Sequence, residues 1–133
     1  MRGDGRGLAM IGGFLRVGES AEDGVAREVL EETGLTVVSK EQFCLFSDPT
    51  RDPRRHTAAL VFVARASPNA TPRAADDAKS IRIFSIRDLQ RQQPSFAFDH
   101  GRIVQEYLDV FHGAKRRWRP LHSHGKQAAC PVR

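Results

Sequence analysis

Cysteine is scarce in this sequence: there are two, Cys44 and Cys130, with no CxxC pair and no regular spacing. That excludes a small fold built on disulfides and a thiolate zinc site, and both thiols are expected to be reduced. Long hydrophobic runs are missing as well. No apolar stretch approaches the roughly 18 residues a membrane helix needs, and the opening MRGDGRGLAM lacks a convincing signal-peptide core. The expectation is a soluble, cytoplasmic protein with no membrane partner. Internal repeats and low-complexity segments are also absent. What is present is 133 residues, 40% of them hydrophobic, enough for one core and one domain.

Negative charge is missing only from the end of the chain. Residues 113–133 carry Lys115, Arg116, Arg117, Arg119, Lys126 and Arg133 and no acid, so the net charge of +5 sits there and residues 1–112 are close to neutral. The expected division is a domain over 1–112 followed by a flexible basic tail over 113–133. Nucleic acid is not expected as a partner, because the body carries no basic patch to extend the tail.

Turn and capping signals divide the body. Leu8 to Ile11 can form a short strand running into the Gly12-Gly13 turn. Ser20 is an N-cap with Asp23 three residues on, and Gly34 stands where a left-handed C′ residue belongs, which predicts a helix from about Ala21 to Thr33. Gly24 inside it costs roughly 1 kcal/mol against alanine, so packing or function must justify it. Strands are predicted at Thr36 to Val38, Phe43 to Phe46, Thr57 to Ala64 and Ile81 to Ile86, with a long loop from Ser67 to Lys79. A second helix, Asp99 to His112, aligns Ile103, Tyr107 and Phe111 on one stripe.

The first helix carries the chemistry. Glu28, Glu31 and Glu32 stand at i, i+3 and i+4, so they project from one face within reach of a common ion. Oxygen donors of this kind suit Mg²⁺ or Mn²⁺, although three glutamates alone are more often a solvated acidic face. The surrounding spacing is more specific. Gly13, Glu19, Arg27-Glu28-Val29, Glu31-Glu32 and Gly34-Leu35 occupy nine constrained positions over 23 residues. In that pattern the chain resembles the Nudix hydrolase family.

The resemblance implies an α/β fold, an α/β/α sandwich around a mixed sheet. With eleven residues ahead of Gly12, its N-terminal strands are expected to be truncated. It also implies metal-dependent hydrolysis of a diphosphate bond. Glu28, Glu31 and Glu32 would be the metal ligands, joined by the carbonyl of Gly12. Gly13, Glu19, Arg27 and Gly34 would be structural, Arg27 acting through Glu19. The general base would come from the box helix, at Glu31 or Glu32, or from a loop carboxylate, Asp76 or Asp77, for which a plain turn role is an equal reading.

Ser47 to Thr57, with Phe98-Asp99-His100, resembles segments of ADP-ribose pyrophosphatase-like members. This implies a small-molecule nucleoside diphosphate substrate, ADP-ribose first, cut to AMP and ribose 5-phosphate. Arg51, Arg54 and Arg55 are the substrate-binding candidates, able to clamp phosphate or stack on a base. Their alternative is ordinary solvated loop charge. A homodimer is expected from the same resemblance. The competing readings are a non-catalytic ligand-sensing domain and an inactive truncated fragment.

Overall fold

The computed structural model describes residues 2–3, 7–73 and 81–113. Asp76, Asp77 and the basic tail beyond Gly113 lie outside the described residues. The order of elements is β1 Arg2–Gly3, β2 Leu8–Ala9, α1 Ala21–Thr33, β3 Val37–Phe46, β4 Ala59–Ala66, α2 Ile86–Gln92 and α3 His100–Phe111.

α1 starts and stops where its caps require. Ser20 Oγ accepts from the Asp23 N–H at 3.1 Å and donates to the Asp23 carboxylate at 2.7 Å. Gly34, at φ +69, donates its N–H back to the Leu30 carbonyl and turns the chain out of the helix. The two strands expected at Thr36–Val38 and Phe43–Phe46 are one, β3, which runs through the polar stretch Ser39-Lys40-Glu41-Gln42. β3 pairs antiparallel with β4, with register shifts between Val37 and Ser39 and between Gln42 and Cys44. The second shift leaves Phe43 without a ladder partner, so that neighbouring Phe43 and Cys44 are both buried instead of alternating.

That burial anchors α3. Phe43, Cys44, Phe46 and Ile103 form the core, with Val61, Val63, Tyr107 and Phe111 packed against it. Each fully buried large side chain contributes about 1.5–3 kcal/mol. Ala64 and Ala66, of the opposite parity on β4 to Val61 and Val63, line a groove with Val29 and Thr33 of α1. Strand alternation thus sets α3 and α1 on opposite faces of the β3–β4 pair. The expected mixed sheet is narrower here: among the described residues the ladders β1–β2 and β3–β4 are antiparallel, and the parallel pairing is a single bridge, Leu8 to Phe96.

Two expectations are corrected. The stretch Ile81 to Ile86 is not a strand; only Ile81 makes a bridge, Ile83 is exposed, and Ile86 opens α2. Ser85 caps that helix through the Asp88 N–H at 3.0 Å, and this local hydrogen bond prevails over the β-branched side chains beside it. Cys44 is disulfide-bonded, where a reduced thiol was expected. Among the described residues no helix is long and apolar enough to cross a membrane.

Candidate active site

The loop between β2 and α1 is folded onto the helix by one arginine. Arg27 donates from Nε and Nη2 to the two Glu19 carboxylate oxygens at 2.7 and 2.8 Å, and from Nη2 to the Phe14 carbonyl at 3.1 Å. Its Nη1 turns the other way and donates to Glu28 at 2.7 Å and Glu31 at 2.9 Å. Glu19 also accepts from the Arg16 N–H at 3.0 Å. The Arg27 guanidinium, then the Arg16 main-chain N–H, holds the Glu19 carboxyl down at about 2, and the same contacts with Glu19 and Glu28 raise Arg27 above its usual range.

Close approach explains two of the glycines. A Cβ on Gly13 would meet the Glu28 carboxylate, with Glu28 Cδ 2.6 Å away. A Cβ on Gly24 would meet Leu15 Cδ2 at 2.5 Å, so the helix fault foreseen at Gly24 is what lets the loop lie against α1.

The three glutamates share a helix face but not a common centre. Glu28 is largely covered, Glu31 is more open, and Glu32 is buried at 6% exposure, unusual for a carboxylate. Among the described residues no group of three acids or histidines is gathered closely enough to hold an ion. Between Glu28 and Glu31 stands Arg27 Nη1, and Glu31 has a second cationic partner in Arg16, whose Nη2 donates to it at 2.8 Å. The donor chemistry of carboxylates beside a peptide carbonyl nonetheless fits a hard divalent cation. Gly13 leaves Glu28 the room to lie there.

A cleft of about 640 Å³ is lined by Gly12, Gly13 and Glu28 together with Arg54 and Phe98. The three candidate arginines of the 51–57 loop have separate fates. Arg51 is buried, donating to both Asp99 oxygens at 2.9 Å and to Thr57 Oγ1 at 3.3 Å, so its donors are committed within the protein. Asp99, at the N-cap of α3, makes no side-chain cap bond because its carboxylate serves Arg51. Arg54 forks onto Asp52 at 3.0 and 2.9 Å and lies over the Phe98 ring, 4.6 Å from its centroid. This holds the Asp52 carboxyl at about 2. Arg55 lies 5.2 Å above Phe14, and His56 is a local partner of the Ser47 carbonyl at 3.4 Å.

Sequence reasoning missed Arg16, Phe14 and Asp52. Arg16 and Phe14 lie in the variable stretch between Gly13 and Glu19, where no spacing rule applies. Asp52 carried a weak signal, an acid two residues before an arginine in a turn.

Residues 2–107 match the NUDIX domain. The chain belongs to that family. This NUDIX chain is 39% identical over 101 residues to the ADP-ribose pyrophosphatase of Methanocaldococcus jannaschii, a match covering 76% of this chain and 57% of that protein. It therefore spans little more than half the relative's length. Its fold is similar to the NUDIX domain of Shewanella oneidensis NrtR, solved in complex with ADP ribose, at a TM-score of 0.60 and 25% identity over 70% of this chain and 60% of that one. It is also similar to a MutT/nudix family protein from Enterococcus faecalis, at a TM-score of 0.57 and 28% identity over 74% of this chain and 47% of that one.

Proposed function

We propose that this NUDIX domain is a metal-dependent pyrophosphohydrolase acting on a nucleoside diphosphate derivative, with ADP-ribose the first candidate. The observation that carries the reading is the cleft: box residues Gly12, Gly13 and Glu28 and a cation-backed aromatic, Arg54 over Phe98, line the same cavity. ADP-ribose carries the two kinds of group such a cavity suits, an anionic diphosphate and a flat base.

Glu28, Glu31 and Glu32, with the Gly12 carbonyl, would hold Mg²⁺ or Mn²⁺, which when bound neutralises the diphosphate and lowers the pKa of an attacking water. Arg27 keeps the loop closed on the helix through Glu19, fixing Gly13 against Glu28. Arg54, held flat by Asp52, offers its outer face to a base and its positive charge to phosphate. Arg51 serves the site indirectly, fastening the 51–57 loop to the turn that carries Phe98. The proton of the attacking water would pass to Glu31 or Glu32, or to Asp76 or Asp77 outside the described residues. The full α/β/α sandwich with a mixed sheet, and a homodimer, belong to the same reading.

A non-catalytic ligand-sensing domain is favoured by one observation, the absence of a gathered three-carboxylate cluster among the described residues. Chromatography of ADP-ribose incubated with the protein and Mg²⁺ separates the two. Release of AMP and ribose 5-phosphate is the expected result. Calorimetric binding of ADP-ribose without products would overturn the enzyme reading in favour of the sensor.

A further inference from the structure

We infer that Arg16 is a releasable counter-ion of Glu31 that competes with the divalent cation and so sets how tightly the box binds it. The inference rests on the metal-dependent reading above and concerns how that site is regulated. Two guanidinium groups meet Glu31, and they are not equivalent. Arg27 is largely buried and anchored at Glu19 by two hydrogen bonds of its own, so it remains in place when Nη1 gives up a carboxylate. The Arg16 side chain is 64% exposed, and among the described residues it hydrogen-bonds one partner, the Glu31 oxygen at 2.8 Å.

A cation drawing Glu31 toward Glu28 must break that contact, whereas the loop itself need not move. The loop is held by Arg27 on Glu19 and by the Arg16 main-chain N–H to Glu19, neither of which depends on the Arg16 side chain. Arg16 therefore lowers metal affinity by stabilising the metal-free arrangement, and once displaced it swings into solvent without cost to the fold. An exposed ion pair of this geometry corresponds to a change of about two- to fivefold in an equilibrium constant.

The test is direct titration of the protein with Mn²⁺, reading free ion by electron paramagnetic resonance. Arg16→Gln is expected to bind Mn²⁺ about two- to fivefold more tightly than the unsubstituted chain. Arg102→Gln, which removes an equal charge from an exposed pair with Glu106 on α3, is expected to leave the affinity unchanged. Equal or weaker binding by Arg16→Gln overturns the inference. So does an equal gain in Arg102→Gln, which would assign the effect to net charge. If neither the unsubstituted chain nor Arg16→Gln binds Mn²⁺ at all, the metal-dependent reading itself fails, a result distinct from both.

Discussion

Substituting Arg51 with methionine tests how the cleft wall is held. The Arg51 side chain is 8% exposed and that of Asp99 17%, and two hydrogen bonds of 2.9 Å join them across 48 residues of sequence. Removing one partner of a fully buried pair costs about 3–5 kcal/mol, mostly because the remaining charge loses its compensation. Asp99 retains some solvent, so the expected loss is smaller, roughly 2–3 kcal/mol. For a folded unit of this size that lowers Tm by roughly 10 °C. Asp99→Asn should cost a similar amount. The double variant should cost less than the sum, with a coupling of about 1–2 kcal/mol, because neither charge is then stranded. Urea unfolding followed by circular dichroism measures all three. A single variant within about 0.5 kcal/mol of the parent, or strictly additive losses, would refute the reasoning. The pair would then be a solvated contact that holds nothing.

Three further outcomes are expected. Acid should destabilise the protein between pH about 4.5 and 2: Glu19 has its carboxyl lowered from 4.5 to about 2 when folded, so the unfolded chain binds the proton first and stability falls with pH through that window. Melting curves of Glu19→Gln should show a shallower fall there, and parallel curves would contradict the assignment. Gly13→Ala should push the Glu28 carboxylate aside and reduce turnover by about 10²-fold, the usual effect of misplacing a reacting group by 1 Å, with the far-ultraviolet spectrum retained; wild-type turnover would show that Glu28 is free to move. Arg54→Ala and Phe98→Leu should each raise KM more than they lower kcat, because the platform binds ground and transition states alike, and a loss confined to kcat in steady-state assays would place Arg54 in the chemistry instead.

Local signals were legible in the chain itself. The Ser20 and Gly34 caps bounded α1, residue spacing set the three glutamates on one helix face, and the apolar stripe placed α3, because caps and helical periodicity depend on neighbours three or four residues away. The same capping logic was present at Ser85 and Asp88 but was outweighed by the β-branched residues around it, and a strand was expected where α2 begins. Which charges meet was decided only by the tertiary structure. Arg51, Arg54 and Arg55 are near-neighbours in one loop, yet one is buried against Asp99, one stacks on Phe98 and one lies over Phe14. Likewise Arg27 stands at i,i+4 from Glu31, but nothing in the spacing announced that Arg16, 15 residues away, would join them. A guanidinium reaches several ångströms from its backbone and takes whichever carboxylate or ring the packing brings within hydrogen-bonding or stacking distance, and that distance is a property of the folded chain, not of the order of its residues.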